Sequence, residues 1–316
     1  MYHSFNPNCL AENAQKVVGV LNALLPQYQI ERRLSHAMRY GVFSGGKMLR
    51  PFLVTSAANI FLADQTQALR VAAAVECAHV SSLIHDDLPG VDNDDMRHHK
   101  PTVHKEFDEA TAIFAGNCLN STAFEILSDQ DTHNDSLVRL KLTKLFAETI
   151  TSLQRGQQMD IAPERQSFDI EQLRNLQQLK TGALIACAVQ AGALLGRAPD
   201  SEINALRNYS YYFGQAYQIV NDLLDAEGEQ ALIGKNVRKD REANKATFVT
   251  LFGSKGAFSQ AEFLLDEACR CLTPFGGRAE KLIGVAHFMI KTPLDAITHS
   301  ASYVAPSSLI RTIPGI

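Results

Sequence analysis

The chain has 316 residues, of which 46% are hydrophobic and 20% charged, and these ordinary globular values exclude a disordered, collagen-like or coiled-coil protein. Its 30 basic and 34 acidic residues leave a net charge of -4, so there is no overall positive field for a nucleic-acid backbone or an anionic membrane. The length lies at the upper end of what one hydrophobic core supports, and it is enough to enclose a deep cavity.

Apolar residues recur at helical spacing along most of the chain, and no strand-like alternation lasts more than a few residues. The pattern predicts helices over 12–25, 30–43, 48–62, 67–88, 110–128, 135–156, 169–178, 180–196, 201–225, 240–251, 257–272 and 277–291. No linker or low-complexity tract divides them, so we expect an all-α fold, a large single-domain helical bundle over 1–291. Residues 292–316 contain two prolines and are expected to form a C-terminal tail of unknown role.

The cysteines and the termini bear on the compartment. None of the six cysteines forms a CxxC pair, and most lie in apolar stretches, which favours reduced thiols and a cytoplasmic protein. The N-terminus has neither a basic start nor an apolar core, so we expect no targeting peptide. The uncharged run from Thr181 to Gly196 is shorter than the roughly 20 residues of a membrane span and is predicted to be a buried helix.

Two predicted helices end in acidic residues. After the first, Asp86, Asp87 and Asp92 follow one another closely, and Pro89-Gly90 should break the helix so that Asp92 curls back toward Asp86. In the second, the spacing of three or four residues places polar side chains on one face: Gln218, Asn221 or Asp222, and Asp225.

Carboxylates clustered without histidine or thiolate suit hard cations, and Mg²⁺ in particular binds one or two carboxylates together with water and substrate phosphate. The chain also supplies cations that would neutralise phosphate. These are Lys47 and Arg50, which follow a double glycine, and Arg97, Lys180 and Lys235. Each feature has an ordinary structural explanation as a solvated helix end, a turn or, for His79, a core residue; their combination in one chain favours function.

The combination of motifs resembles the trans-isoprenyl diphosphate synthases, the farnesyl and geranylgeranyl diphosphate synthase group. The similarity extends from about residue 30 to 291 and is carried by five motifs in the family's order. They are GGKMLRP (45–51), SLIHDDLPGVDNDDMRHHKPTVHKEF (82–107), GQQMD (156–160), KTGAL (180–184) and GQAYQIVNDLLD (214–225) with GK ending at 235.

The resemblance implies the isoprenoid synthase fold, in which two acidic helix ends face each other across a central cavity. It implies a homodimer that condenses isopentenyl diphosphate with an allylic diphosphate, using three Mg²⁺ ions, to a product of fifteen to twenty carbons. The implied metal ligands are Asp86, Asp87, Asp92, Asn221, Asp222 and Asp225. The implied contacts to the allylic diphosphate and the reacting carbons are Arg97, Lys180, Thr181, Gln218 and Lys235, and those to isopentenyl diphosphate are Lys47, Arg50 and His79.

The chain departs from the family pattern at several charged positions. Asn221 replaces an aspartate that ligates the third Mg²⁺, and His98 replaces an arginine for isopentenyl diphosphate. Asn117 stands where aspartate is frequent, and the usual C-terminal arginine near Lys291 is missing. Each change weakens a charge contact, so reduced activity, an altered substrate or a regulatory role stays open.

Product length should depend on the depth of the cavity below Asp86. Fifteen-carbon synthases often carry an aromatic residue five positions before the first aspartate, where this chain has Ser81. The neighbouring residues are also small, so a twenty-carbon product is favoured over fifteen, although Phe114 or Phe124 could form the floor.

Three other functions compete with this one. Asn221, Asp225 and Glu229 fall at four-residue intervals, similar to the metal motif of class I terpene cyclases, but a cyclase has no need of Lys47, Arg50 and His79. A low-activity regulatory subunit of a prenyltransferase would tolerate the departures. A metal phosphohydrolase ranks last because further histidines are lacking at suitable places.

Overall fold

The computed structural model describes residues 5–27, 30–162, 167–227 and 246–299, and within them the protein is a bundle of α-helices. The helices are α1 (Asn8–Leu24), α2 (Arg32–Val42), α3 (Leu49–Ile60), α4 (Gln65–Asp86), α5 (Val103–Glu106), α6 (Glu109–Ser128), α7 (Ser136–Ile161), α8 (Ile170–Gln177), α9 (Ala183–Leu195), α10 (Asp200–Glu227), α11 (Phe248–Cys271) and α12 (Glu280–His299). Two strands of two residues, β1 (Met96–Arg97) and β2 (Lys100–Pro101), form an antiparallel hairpin after α4. The predicted all-α class is confirmed.

Aspartate side chains fix where several helices begin. Asp64, Asp108 and Asp169 each accept a hydrogen bond from the main-chain N–H three residues later, at the starts of α4, α6 and α8. Such caps satisfy main-chain donors that no helical carbonyl can reach, and they place negative charge at the positive end of the helix dipole.

Small residues let the central helices pack closely. Gly116 of α6 lies against the ring of His85 in α4, and a Cβ at Gly116 would lie 2.2 Å from His85 Nε2. Gly192 of α9 packs in the same way on α3, where a Cβ would lie 2.3 Å from the carbonyl oxygen of Val54. Atoms at such distances overlap. Gly192 faces main-chain atoms, so this helix pair tolerates no side chain there, whereas a side chain at Gly116 would require the His85 ring to move.

Some predicted boundaries were wrong. The helix expected over 180–196 begins as a π-turn over Gln178–Gly182 and becomes α-helical at Ala183. Of the helix expected over 240–251, residues 240–245 lie outside the described ranges; α11 begins at Phe248 and is interrupted at Gly253, whose φ is 68°. The helix expected over 277–291 begins at Glu280 and continues through Pro293 to His299, so the predicted tail is helical at its start.

The stretch Ile170–Leu195, which includes α8 and α9, is long and apolar enough to cross a membrane by length and composition alone. However, 67% of its most apolar window is buried inside the bundle. This is the burial expected of a core helix, as the run from Thr181 to Gly196 predicted.

Candidate active site

The first acidic helix end folds back on itself as predicted. α4 ends at Asp86, and the main-chain N–H of Asp92 donates to the carbonyl oxygen of Asp86 over 2.8 Å. The N–H of Asn93 donates to Leu88 O over 3.1 Å, and Asn93 adopts a left-handed conformation with φ of 50°. Asparagine tolerates this conformation better than most residues, so the turn brings Asp92 back beside the end of α4.

The carboxyl group of Asp86 lies in an environment that disfavours its negative charge. Its pKa is raised to about 7: burial is the largest cause, Lys180 and Arg97 act against it, and the charges of Asp92 and Asp87 act with it. A site in which carboxylates are crowded and partly desolvated gains free energy when a cation binds.

Asp87 has a different surrounding from Asp86. It is 3% exposed, and both of its carboxylate oxygens accept hydrogen bonds from Arg97 Nε, at 2.9 and 2.8 Å. Asp94 lies 3.8 Å from Arg97 Nη2 on the other side. Burial alone would lower the pKa of Arg97, but the two aspartates raise it, so the guanidinium stays charged and is fixed in orientation next to the turn of the hairpin.

The π-turn over Gln178–Gly182 carries two of the predicted catalytic residues. Lys180 Nζ donates to Asp160 Oδ2 of α7 over 2.7 Å, and the charges of Asp160, Asp92 and Asp86 raise the pKa of Lys180 although burial opposes them. A Cβ at Gly156 would lie 2.4 Å from the main-chain nitrogen of Lys180, so only glycine lets α7 approach the turn this closely. The ammonium of Lys180 is therefore held, fully charged, among the carboxylates of the first acidic end.

The same turn contacts the second acidic helix end. Thr181 Oγ1 donates to Gln218 Oε1 of α10 over 3.2 Å, and Gln218 Nε2 donates to Asp222 Oδ1 over 3.0 Å. The other oxygen of Asp222 accepts from the N–H of Phe248, at the start of α11, over 3.3 Å. Asp222 is 5% exposed, and both its oxygens are engaged: Oδ1 by Gln218 on the same helix, and Oδ2 by the contact that joins α10 to α11.

Asn221 and Asp225 flank Asp222 on α10 and are partly exposed. Lys235 and Glu229 lie outside the described residues, so the contacts predicted for them remain predictions.

The residues predicted for isopentenyl diphosphate also come together. Arg50 Nη1 lies 3.1 Å from His79 Nε2, and Lys47 Nζ lies 5.7 Å from the centre of the Tyr217 ring on α10. Gly45 and Gly46 precede them with φ of 116° and 131°, which only glycine adopts readily. His98 packs on this turn, since a Cβ at Gly46 would lie 3.4 Å from His98 Cε1. Arg50 thus contacts His79, Lys47 lies over Tyr217, and His98 lies against the glycine turn that precedes Lys47.

Four further residues belong to the site by contact or by electrostatic interaction, and they received no role from the sequence. They are Gln157, which donates to Asp92 Oδ1 over 3.4 Å, Asp160, Tyr217, and Glu76, whose charge acts on Arg50. Gln157 and Asp160 lie in the GQQMD motif, which was a usable signal. Glu76 lies within an apolar helix and carries no local signal.

The acidic residues fit an Mg²⁺ site that water and substrate phosphate complete. Within the described part of the chain no three acidic, histidine or cysteine side chains converge tightly enough to hold a metal by themselves. Asp86 and Asp92 supply two neighbouring carboxylates, which suits an ion that completes its shell with water and substrate phosphate.

The residues named for product length lie in three different surroundings. Ser81 is 5% exposed and donates its hydroxyl hydrogen to the carbonyl oxygen of Gly116 over 2.7 Å. Phe124 packs edge-on against Phe146 with ring centres 5.4 Å apart. Phe114, the other aromatic residue that could form the floor, is 60% exposed on the outer face of α6 in the single chain.

Comparisons with known proteins agree with this geometry. A family model described as polyprenyl synthetase matches residues 31–271. The chain is similar to the farnesyl diphosphate synthase of Geobacillus stearothermophilus, at 37% identity over 83% of this chain and 90% of that protein. It is also similar to the geranylgeranyl diphosphate synthase of Cyanophora paradoxa, at 34% identity over 89% and 94% of the two chains. The crystal structure of an FPP/GFPP synthase from Zymomonas mobilis superimposes with a TM-score of 0.81, at 40% identity over 90% of this chain and 98% of that one.

Proposed function

Because the chain belongs to the polyprenyl synthetase family and is a short-chain prenyl diphosphate synthase, we propose that it joins isopentenyl diphosphate to an allylic diphosphate with Mg²⁺ and releases a twenty-carbon prenyl diphosphate. One observation carries the proposal: the basic side chains form two separate sets, one among the aspartates of the first acidic end and one away from those aspartates. Lys180 and Arg97 lie with Asp86 and Asp92, whereas Lys47, Arg50 and His79 form the second set. Two diphosphates, one presented with metal and one without, match this division.

The first set receives the allylic diphosphate. Asp86 and Asp92, with Asn221 and Asp225 across the site, would hold Mg²⁺, which supplies positive charge against the departing diphosphate. Arg97 and Lys180 place fixed positive charge at the same location, oriented by Asp87 and Asp160. Asp87 and Asp222 have both oxygens engaged by protein donors, so we assign them a positioning role and restrict the ligands to the other four residues.

The bond between the allylic carbon and the diphosphate oxygen breaks with both electrons leaving on the diphosphate. Preorganised cations stabilise this growing negative charge most where water is excluded. The carbocation that remains faces the hydroxyl of Thr181, the amide of Gln218 and the main-chain carbonyl of Lys180, whose dipoles stabilise positive charge. The hydrogen bond between Thr181 and Gln218 fixes these dipoles relative to each other.

The second set holds isopentenyl diphosphate so that its double bond attacks the cation. A carbon–carbon bond forms and leaves the positive charge on the tertiary carbon of the isopentenyl unit. The carbon next to it then loses a proton to the released diphosphate, which restores a double bond. This diphosphate stays attached to its carbon and is bound by Lys47, Arg50 and His79. The second set therefore has to bind the substrate tightly and does not have to stabilise a leaving group.

The preference for twenty carbons rests on Ser81 and the residues one and two turns below it on α4. Ala78 and Ala74 are fully buried and small, so α4 itself carries no bulky side chain that would end the cavity early. The relatives include both farnesyl and geranylgeranyl diphosphate synthases, so product length rests on this physical argument alone.

We also propose a cytoplasmic homodimer. Ile113 and Phe114 on the outer face of α6 are 42% and 60% exposed, and a pair of large apolar side chains next to each other on a bundle helix suits burial against a second copy of the chain.

The deciding experiment incubates the purified protein with Mg²⁺, isopentenyl diphosphate and each of dimethylallyl, geranyl and farnesyl diphosphate, and identifies products by mass. We expect a linear twenty-carbon diphosphate and released diphosphate. A cyclic hydrocarbon formed from farnesyl diphosphate alone would identify a terpene cyclase, and no turnover with any primer would identify a non-catalytic subunit.

A further inference from the structure

Glu76 is a buried carboxyl group that the reaction described above does not use. It lies on α4, three residues before His79, so the two side chains share one face of the helix. It is 4% exposed, and its Oε2 atom is buried without a hydrogen-bond partner. A carboxyl group in that state is costly to the fold, so it requires an explanation.

The residue that explains the buried carboxyl group is Arg50. Its Nη1 contacts His79, but its Nε is buried without a hydrogen-bond partner. Burial lowers the pKa of Arg50, while the charges of Tyr217 and Glu76 act in the opposite direction. Arg50 in turn is the charged group of the described residues that acts on Glu76. Glu76 and Arg50 are thus buried groups of opposite charge that interact electrostatically, and Arg50 is the one that belongs to the diphosphate pocket.

We propose that Glu76 is a positioning residue of the isopentenyl diphosphate pocket: without a direct hydrogen bond, its buried negative charge attracts the Arg50 guanidinium and keeps it charged where it contacts His79. This rests on the proposed function of that pocket. A free guanidinium samples many rotamers and loses that entropy on binding, so a counter-charge behind it lowers the cost of binding a diphosphate. The contribution falls on substrate affinity, since Glu76 is buried behind Arg50 and reaches no reacting atom.

The charged group that acts on the Glu76 carboxyl is Arg50 of α3, which also contacts His79 and interacts with Tyr217 of α10. Glu76 in turn raises the pKa of the neighbouring Cys77 thiol. The pKa of Glu76 is raised to about 7, because the effect of burial exceeds the opposing effect of Arg50. The positioning charge is therefore present above about pH 7 and is lost as the pH falls through that value.

The test compares Glu76→Gln with the wild type in steady-state kinetics and by titration calorimetry with isopentenyl diphosphate. At pH 8 we expect the KM for isopentenyl diphosphate to rise about tenfold, with kcat and the KM for the allylic diphosphate within twofold of wild type. The KM of Glu76→Gln for isopentenyl diphosphate, divided by that of the wild type, should fall toward one at pH 6, where the wild-type carboxyl is protonated too. Taking the ratio cancels the titration of the substrate itself.

Two further variants separate positioning from structure. Cys77→Ala removes a fully buried neighbour on α4 that lacks charge, and it should lower the Tm without changing the KM for isopentenyl diphosphate. In an Arg50→Gln background, Glu76→Gln should add nothing to the loss of affinity, because it acts through the missing guanidinium.

An unchanged or lower KM in Glu76→Gln, or additive losses in the double variant, would overturn the inference while leaving the proposed function intact. A wild-type protein that makes no prenyl diphosphate would instead overturn the proposed function.

Discussion

Lys180 Nζ donates to Asp160 Oδ2 over 2.7 Å, and this contact joins the π-turn to the end of α7. The same ammonium acts electrostatically on Asp86 and Asp92 at the end of α4. One side chain thus connects three segments that are far apart in sequence. Without Asp160 the ammonium has no fixed position among the carboxylates that would also hold Mg²⁺.

We expect Asp160→Asn to lower kcat/KM for the allylic diphosphate by about 10- to 100-fold, because it removes the charge that orients Lys180. Steady-state kinetics measure the effect. Asp135→Asn is the matched control, since it breaks a comparable contact to Arg197 at 3.0 Å on an exposed part of the bundle and should leave kinetics unchanged. Equal effects of the two variants would contradict the role given to Asp160.

Gly156→Ala should separate α7 from the π-turn, because its Cβ would lie 2.4 Å from the main-chain nitrogen of Lys180. We expect a stability loss of about 1–3 kcal/mol from this overpacking and a fall in kcat, since Lys180 and Thr181 move with the turn. Gly19→Ala in α1 is the control: nothing lies within 4 Å of its Cβ, and alanine favours the helix, so the Tm should rise or stay the same. Thermal unfolding together with product assays distinguishes the two sites.

Asn221→Asp adds a negative charge next to the second acidic end, where an amide oxygen now lies. Because a carboxylate binds Mg²⁺ more strongly than an amide, we expect half-maximal activity at a lower Mg²⁺ concentration, or a higher kcat. Asn221→Ala should shift the Mg²⁺ dependence in the opposite direction. If both variants gave the wild-type Mg²⁺ curve, Asn221 would not be a ligand.

Ser81→Phe places a large ring on the buried face of α4 that contacts Gly116 of α6. We expect products shortened by at least one five-carbon unit, read by mass, and a stability loss of about 1–3 kcal/mol. Ser81→Ala removes the hydroxyl but keeps the space, so its product should match that of the wild type. An unchanged product in Ser81→Phe protein that remains folded would show that this wall does not set the length.

His98→Arg should lower the KM for isopentenyl diphosphate several-fold at pH 8. His98 packs on the turn that carries Lys47, and arginine adds a permanent charge with a bidentate fork there. Replacement of the neighbouring exposed His99 by arginine changes net charge equally and serves as the control. A drop in KM for both variants would indicate general electrostatic attraction instead of a specific contact.

Much of this protein could be predicted from local patterns. Helical periodicity predicted most of the helices to within a few residues, because α-helices are stabilised by contacts three and four residues apart. Pro89-Gly90 predicted the turn that returns Asp92 to Asp86, and the double glycine preceded the cations of the second set. These features depend only on residues close together in sequence, so they can be predicted from the sequence alone.

The roles of individual charges were decided by tertiary structure. Asp86 and Asp87 are adjacent aspartates in one motif, yet one lies among the site's charges and the other is enclosed by Arg97. Asp222 is likewise held between Gln218 and the start of α11, 26 residues further along the chain. An aspartate in these motifs has the same sequence signature whether it is expected to bind metal or to pair with a basic side chain. Burial and long-range partners decide between the two roles, and neither is a property of the segment itself.

Sequence alone determined that the chain forms a helical bundle with two acidic helix ends, and it predicted two sets of cations for phosphate. Only the tertiary structure decided that Asp160 holds Lys180, that a π-turn links both acidic ends, and that Glu76 lies behind Arg50. The physical reason is range: helix formation is fixed within a few residues, whereas electrostatic interaction in a partly buried site acts between whichever side chains packing has brought close together.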